Sequence, residues 1–204
     1  MEATAELARR DATLAALIDR VGPATLVSPR RRSGGDHFAA LAESIVYQQL
    51  AGRAAAAIHG RFAALFDGTP TPEAVLAVPV ETLRGVGLSG AKTASIRDLA
   101  EKIESGAVEL DKVARLSDGE IVSELTLVRG IGRWTAEMFL IFRLGRLDVW
   151  PVDDLGVRKG YARLYGYEVA PTPKELDALG ERFRPYRSVV AWYCWRAADT
   201  VTPG

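Results

Sequence analysis

The chain has 204 residues, of which 48% are hydrophobic and 25% charged; this balance is typical of globular proteins and excludes wholesale disorder. Basic and acidic residues number 26 each, so a nucleic-acid site would have to depend on local charge placement. The single cysteine, Cys194, excludes a disulfide framework, a cysteine-ligated zinc site and an iron–sulfur cluster. The N-terminus lacks a signal-peptide pattern, and no segment approaches the roughly 20 apolar residues of a membrane span. We therefore expect a soluble, cytoplasmic protein without a membrane partner.

Hydrophobic periodicity predicts helices along almost the whole chain. The first helix is expected over about residues 5–21 and the last over about residues 185–198. Polar residues typical of helix N-caps precede several of the intervening helices, at Thr71, Ser89, Ser117 and Thr172. Only residues 147–152 look extended, and a proline within them limits that strand. We predict an all-α fold.

The longest predicted loop, between residues 23 and 36, contains the basic triplet Arg30-Arg31-Arg32. Such a triplet is typical of a solvated surface and also suits contact with phosphate groups. The sequence leaves both interpretations open.

The most informative stretch is a predicted turn between two helices, over residues 127–136. It contains Gly130 and Gly132, which allow a tight turn and a close approach to a ligand because glycine has no Cβ atom. The N–H groups after the turn begin a helix, where an anion such as phosphate is favoured. Ile131 is expected to fill the core, and Arg129 and Arg133 suit phosphate contact. The alternative is a helix–turn–helix corner that binds nothing.

The full string resembles the helix–hairpin–helix of DNA repair glycosylases. That resemblance implies a DNA-binding hairpin made by five consecutive residues: Arg129, Gly130, Ile131, Gly132 and Arg133. A related string over residues 83–92 is interpreted as structural, because Ser89 as an N-cap explains it without a ligand. Lys92 in that string is a candidate phosphate contact.

Two adjacent carboxylates, Asp153 and Asp154, follow the hairpin and its second helix, and they begin another helix after Pro151. Either carboxylate could simply cap that helix. However, the order of hairpin, helix, Pro-Val-Asp-Asp and aliphatic helix resembles the helix–hairpin–helix glycosylase superfamily. This resemblance places the catalytic aspartate at Asp154 and leaves Asp153 as a cap or structural carboxylate.

Within the superfamily, the chain resembles the bacterial 3-methyladenine DNA glycosylase II family over about residues 37–196. The resemblance depends on the strings from His37 to Leu50, from Leu83 to Leu99 and from Pro185 to Arg196. It implies one all-α domain over residues 1–204 with two helical lobes and no N-terminal sheet domain. One lobe would span about residues 37–145, and the other about residues 1–36 plus 146–204.

The same resemblance implies a monofunctional DNA glycosylase that excises alkylated purines of the 3-methyladenine and 7-methylguanine type in base excision repair. Bifunctional relatives carry a nucleophilic lysine where this chain has Trp134, so no Schiff base is expected there. Such an enzyme must flip the damaged nucleotide out of the helix. The resemblance places the DNA wedge at Gln49 and Leu50, and it assigns the base pocket to Tyr47, Trp134, Met138 and Trp195.

The resemblance implies an enzyme that requires no cofactor. It also implies that the protein binds double-stranded DNA containing alkylated bases, and that it does so as a monomer. Hairpins of the superfamily often hold a monovalent cation through main-chain carbonyl groups. The corresponding residues here are Thr126, Val128 and Ile131.

Three alternatives remain at this point. A non-catalytic helix–hairpin–helix DNA-binding protein would share the glycines and arginines but would need neither Asp154 nor the tryptophans. An all-α scaffold or peptide-binding protein would use Gly130 and Gly132 only for packing. A glycosylase for another lesion, such as mismatched adenine or oxoguanine, is disfavoured by Trp134 and by the missing cysteines.

Overall fold

The structure is a computed structural model that describes residues 2–26, 37–113 and 115–199. Within these ranges the regular structure is entirely helical, which confirms the all-α prediction, and the extended segment over residues 147–152 forms no strand. The triplet Arg30-Arg31-Arg32 lies outside the described residues.

The chain folds as two units. The central unit comprises residues 30–139, and the terminal unit combines residues 1–29 with residues 140–204. The lobe boundaries expected from the resemblance lie a few residues further along the chain at both junctions.

The helices of the central unit are α3 (His37–Tyr47), α4 (Gly52–Ala64), α5 (Pro72–Ala77), α6 (Val80–Gly85), α7 (Gly90–Glu104), α8 (Asp118–Leu125) and α9 (Arg133–Met138), with a 3-10 turn at Leu110–Lys112. Helix α7 packs against α3, α5 and α6, and it buries Ile96 and Leu99 completely. The expected caps are present: Ser89 accepts a hydrogen bond at the start of α7, and Ser117 forms a complete capping box on α8.

The helices of the terminal unit are α1 (Glu2–Arg10), α2 (Ala12–Val21), α10 (Leu155–Tyr165), α11 (Pro173–Gly180) and α12 (Arg187–Asp199), with a 3-10 turn at Glu181–Phe183. The prediction of one helix over residues 5–21 is wrong. Asp11 has an extended backbone (φ −142°), and its side chain accepts a hydrogen bond from the Leu14 N–H at 2.9 Å. This side chain therefore caps a second helix and separates it from the first.

The helix that follows the hairpin changes its winding. Helix α9 passes directly into a π-helix over Phe139–Leu144, which no sequence signal predicted. π-helical turns are rare and are found mostly as single turns within α-helices. The boundary between the two units falls at the start of this π-helix.

The core of the terminal unit depends on a close crossing of α10 and α12. A Cβ atom placed on Gly160 would overlap the backbone carbonyl group of Cys194, so the two helix backbones are in direct contact at this point. Tyr161 and Tyr193, the neighbours of this contact, are completely or almost completely buried. The Cys194 thiol is fully buried as well, and this burial raises its pKa far above the ordinary value.

None of the described helices is long and apolar enough to cross a membrane.

Replacement of Gly160 by alanine is expected to destabilise the protein by about 1–3 kcal/mol or more, because the added methyl group meets backbone rather than a movable side chain. Gly60→Ala on α4 is the matched control, since nothing lies within 4 Å of its Cβ position. That change should stabilise the protein by about 0.5–1 kcal/mol through helix propensity. Denaturant unfolding measures both values, and equal effects would contradict the close crossing.

Candidate functional site

An open groove of about 510 Å³ in the central unit joins residues that are distant in sequence. Its walls come from the end of α3, from the loop after it, from the hairpin turn and from the start of α9. The lining residues are Ser44, Tyr47, Gln48, Gln49, Gly130, Trp134 and Thr135. The groove therefore brings together two predicted base-pocket residues, one predicted wedge residue and one hairpin glycine.

Two aromatic side chains stand unusually exposed at this groove. Trp134 is 48% exposed and Tyr47 is 37% exposed, although rings of this size normally lie in the core. The Tyr47 ring makes an edge-to-face contact with His59 at 6.1 Å between centroids. Exposed rings beside an open groove suit a flat ligand that stacks on them.

The loop after α3 carries both predicted wedge residues at the surface. Gln49 has a left-handed backbone with φ 56°, which is uncommon for a residue other than glycine. Leu50 is 38% exposed. The tight turn therefore presents the two side chains without burying either of them.

Lys92 was expected as a candidate phosphate contact, but the structure gives it another role. Its ammonium group donates a hydrogen bond to the Val46 carbonyl at 2.7 Å, in the last turn of α3. Cations are favoured at helix C-termini, where carbonyl groups lack partners. Partial burial lowers the pKa of this amine. Lys92 thus supports the start of the wedge loop.

The two hairpin glycines serve different purposes. Gly130 has φ +79°, and its hypothetical Cβ would lie 2.5 Å from the Ser95 hydroxyl oxygen, so both conformation and space require glycine. Gly132 has φ −91° and open space around its Cβ position, and it is the N-cap of α9. Ile131 between them is 3% exposed and fills the core as expected.

The two hairpin arginines also differ. Arg129 is exposed beside the turn. The Arg133 guanidinium instead pairs with the buried carboxylate of Glu137, with Nε and Oε1 2.8 Å apart. Arg133 therefore contributes less net positive charge to the hairpin surface than the sequence suggested.

The three carbonyl groups proposed for a cation belong to the hairpin turn. Thr126 caps the C-terminus of α8, and the Val128 carbonyl also accepts the Ile131 N–H at 3.1 Å. Carbonyl oxygens are neutral, hard ligands that suit a monovalent cation. Among the described residues, no cluster of three or more His, Cys, Asp or Glu side chains offers an alternative metal site.

Two side chains to which the sequence assigned no role hydrogen-bond the hairpin backbone. Gln48 donates from Nε2 to the Gly130 carbonyl at 3.0 Å, and Asp98 accepts the Arg129 N–H at 2.7 Å. Both lie in strings that carry the family resemblance, but their spacing from the hairpin gives no sequence signal of contact.

In the terminal unit, Asp154 is the N-cap of α10. Its Oδ1 atom accepts hydrogen bonds from the Val157 N–H at 2.8 Å and from the Trp195 indole N–H at 2.9 Å. The neighbouring Asp153 is exposed and is not the N-cap, so of the two roles expected for it, a cap or a structural carboxylate, the capping role is wrong. Asp154, which was predicted to be the catalytic carboxylate, is therefore also the residue that caps α10.

Trp195 was expected as a base-pocket residue, and its described contacts are with Asp154 and Phe142. The Trp195 and Phe142 rings pack with centroids 5.5 Å apart at an interplanar angle of 31°. The indole N–H is used by the carboxylate. Met138, another predicted pocket residue, lies half-buried in α9.

The segment that leads to Asp154 is fastened to the start of α12. The buried Arg187 guanidinium binds Asp148, with Nε and Oδ1 2.9 Å apart, and Ser188 Oγ accepts the Val149 N–H at 2.9 Å. Arg187 and Ser188 belong to the string from Pro185 to Arg196 that carries part of the family resemblance. Their contacts hold in place the segment that leads to the candidate catalytic residue Asp154.

A family model described as the HhH-GPD superfamily of base excision DNA repair proteins matches residues 42–185. The chain belongs to this superfamily. The match includes the groove, the hairpin, the wedge loop and Asp154, so every part of the candidate site except Trp195 falls within it.

Known proteins are similar to this chain along most of its length, both in sequence and in structure. DNA-3-methyladenine glycosylase 1 of Schizosaccharomyces pombe is 39% identical over 161 residues, which cover 78% of this chain and 71% of that protein. The solved structure of the S. pombe 3-methyladenine glycosylase with abasic DNA has a TM-score of 0.80 at 36% identity, with 96% of both chains covered. A DNA-3-methyladenine glycosidase from Bacillus halodurans gives a TM-score of 0.84 at 37% identity over 95% of this chain and 87% of that one.

The double use of Asp154 predicts a difference between its variants. Asp154→Ala removes the cap and the acceptor for Trp195, and it should cost about 1–3 kcal/mol of unfolding free energy. Asp154→Asn retains an oxygen acceptor, and asparagine caps helices about as well as aspartate, so its cost should be much smaller. Asp153→Ala is the control and should stay within about 0.5 kcal/mol of the parent protein. Equal unfolding midpoints for the alanine and asparagine variants of Asp154 would contradict the capping geometry.

Proposed function

We propose that the protein is a monofunctional DNA glycosylase that releases alkylated purines of the 3-methyladenine and 7-methylguanine type from double-stranded DNA, acting as a monomer in base excision repair. The observation that carries the proposal is the carboxylate of Asp154, which two N–H donors hold at the start of α10. The named relatives that match most of this chain support the substrate class.

The first requirement of this reaction is access to the base. A base inside the duplex is unreachable, so the enzyme turns the nucleotide out of the helix at a cost of a few kcal/mol. A side chain that enters the vacated space offsets part of this cost. The exposed Gln49 and Leu50 on a tight, left-handed turn suit this role.

The second requirement is recognition of a damaged base. Purines methylated at N3 or N7 carry a positive charge, and an electron-rich ring attracts a cation by about 0.5–2 kcal/mol. Trp134 and Tyr47 expose such rings at the groove of the central unit. We assign these two residues to selection of the cationic base.

The third requirement is stabilisation of the sugar as the glycosidic bond breaks. A cationic purine departs as a neutral base, so no strong general acid is needed, while positive charge develops on the deoxyribose. An oriented carboxylate stabilises this charge electrostatically, and the same carboxylate can accept a proton from the attacking water. Asp154 is assigned to this step, and Trp195 holds it in orientation.

The hairpin is assigned to the DNA backbone. Phosphate contacts position a protein on the duplex without reading its sequence. The exposed Arg129 and the N–H groups at the start of α9 supply such contacts. A monovalent cation held by the carbonyl groups of Thr126, Val128 and Ile131 would add positive charge beside a phosphate.

Asp154→Asn is the direct test of the catalytic assignment. It removes one negative charge with little change in shape, and it should slow base release by roughly 10²–10³-fold. DNA affinity should stay the same or improve, because a carboxylate no longer repels phosphates. Single-turnover release of 7-methylguanine from methylated duplex measures the rate. Asp153→Asn is the control with a near-normal rate, and near-normal excision by Asp154→Asn would contradict the assignment.

Trp134 at the position of the nucleophilic lysine predicts monofunctional chemistry. Borohydride should trap no covalent protein–DNA adduct, and the abasic strand should remain intact until alkali is added. Trp134→Ala should weaken excision of cationic bases through lost stacking of about 1–3 kcal/mol. A robust borohydride adduct with the unaltered protein would show that another amine reaches the sugar.

A further inference from the structure

A glycine in the first turn of α10 lies beside the candidate catalytic carboxylate. Gly156 is the second residue of this helix, two positions after the N-cap Asp154, and its backbone is not left-handed. The position therefore does not require glycine for its conformation, and glycine is less favourable than alanine in a helix. The reason for a glycine here lies in the space around it.

The space beside Gly156 is taken by the hydrogen bond between Asp154 and Trp195. The Trp195 indole N–H donates to Asp154 Oδ1 at 2.9 Å. A Cβ atom on Gly156 would lie 3.1 Å from that Oδ1 atom, 3.3 Å from the indole nitrogen and 2.9 Å from Cδ1 of the same ring. A methyl group at this position would therefore press on both partners of the hydrogen bond, and the ring would have to move.

The Trp195 ring cannot move away together with its helix. The preceding residue, Cys194, has its carbonyl group directly against the backbone of α10 at Gly160, so the backbone of α12 is fixed at this point. The ring also packs against Phe142, with centroids 5.5 Å apart. A displacement caused at Gly156 is thus taken up by the side-chain angles of Trp195. These angles determine whether the indole N–H points at the carboxylate.

Both printed donors to Asp154 act on the same oxygen atom. Oδ1 accepts the Val157 N–H at 2.8 Å as well as the indole N–H of Trp195. The main-chain donor fixes this oxygen relative to the helix, and the indole adds a second direction that restricts rotation of the carboxylate. Electrostatic stabilisation of a developing charge depends on groups that are oriented before the reaction. A misplacement of about 1 Å can lower a rate by about 10²-fold.

We propose that Gly156 is a positioning residue, whose missing side chain leaves the space in which the Trp195 indole holds the Asp154 carboxylate in its catalytic orientation. This inference rests on the proposed function. Gly156 acts through the indole, and the role requires no contact of its own with DNA. A larger residue at this position should therefore slow the release of the base without weakening the binding of DNA.

The test compares Gly156→Ala with Gly119→Ala. Gly119 is also the second residue of a helix, after the Ser117 N-cap of α8. Apart from its own helical turn, nothing in the described part of the chain lies within 4 Å of its Cβ position. Gly119→Ala is therefore a matched control for the effect of alanine on a first helical turn.

Single-turnover release of 7-methylguanine from methylated duplex gives two quantities for each variant. These are the rate at saturating enzyme and the enzyme concentration at which half of that rate is reached. Gly156→Ala should lower the saturated rate roughly tenfold, as expected for a displacement smaller than 1 Å. It should leave the half-saturating concentration within about twofold of the parent value. Gly119→Ala should match the parent protein in both quantities.

A double-mutant cycle shows whether the effect passes through the indole. Trp195→Phe keeps an aromatic ring but removes the N–H donor, and it should also lower the saturated rate roughly tenfold. Once this donor is absent, the methyl group of Gly156→Ala has no hydrogen bond to disturb. The double variant should therefore stay within about twofold of Trp195→Phe, whereas independent effects would multiply to about a hundredfold.

The indole N–H resonances in a heteronuclear NMR spectrum report the geometry without an assay of activity. The chain has four tryptophans, and the resonance that disappears in Trp195→Phe is that of Trp195. This resonance should shift in Gly156→Ala, because the hydrogen bond to the carboxylate is disturbed. It should keep the parent position in Gly119→Ala.

The proposal is overturned if folded Gly156→Ala releases the base at the parent rate, or if its effect multiplies with that of Trp195→Phe. It is also overturned if the Trp195 resonance does not shift in Gly156→Ala. Should Gly156→Ala fail to fold, Trp195→Phe decides the outcome: a tenfold slower rate supports the positioning role, and the parent rate overturns it.

Failure of the inference and failure of the proposed function give different results. A parent protein that releases no base refutes the proposed function, and the positioning role falls with it. An active parent protein beside an unchanged, folded Gly156→Ala refutes only the positioning role.

Discussion

The close crossing of α10 and α12 is the constraint on which the candidate catalytic carboxylate depends. Gly160 lets the backbone of α10 touch the backbone of α12 at Cys194. The residue after Cys194 is Trp195, and the crossing brings its indole N–H within 2.9 Å of Asp154 at the start of α10. A larger residue at position 160 would push α12 and the Trp195 indole away from Asp154. Gly160, which has no functional side chain, therefore determines how the Asp154 carboxylate is oriented.

The candidate DNA surface belongs to a chain with no net charge, so its attraction for the negatively charged DNA has to come from local groups. Acidic and basic residues are equal in number, and one hairpin arginine already shares its charge with Glu137. In the proposed function, backbone N–H groups of the hairpin attract a phosphate without adding to the net charge. Such donors are useful only when they are aligned, which gives the contacts around Gly130 their importance.

Local signals predicted much of this fold, because they depend on neighbours in sequence. The capping boxes at Ser117 and Thr172 were readable from residues three positions apart, and both are present. Asp11 is also an N-cap, but the residue three positions later is Leu14, so no capping box marked the start of the second helix. The glycines alone predicted the turn of the hairpin, whereas its assignment to DNA and the assignment of Asp154 to catalysis depended on the family resemblance and stay predictions.

Contacts between distant residues were beyond sequence reasoning. Asp154 and Trp195, or Asp98 and Arg129, meet because of helix packing, and no spacing in the chain encodes either hydrogen bond. The charge of Lys92 suggested a phosphate contact, and packing of α7 on α3 gives its ammonium group a carbonyl partner that no sequence signal predicted. The charge of a side chain indicates which groups it can bind, but the packing of the helices determines which of those groups lies within reach.

The burial of Cys194 bears on how the protein withstands methylating agents. The electrophiles that methylate purines also methylate thiolates, and a thiol with low pKa and open access is their preferred protein target. The only thiol of this chain is inaccessible to solvent and resists ionisation. A repair protein built in this way keeps its helix crossing intact in the same exposure that creates its proposed substrates.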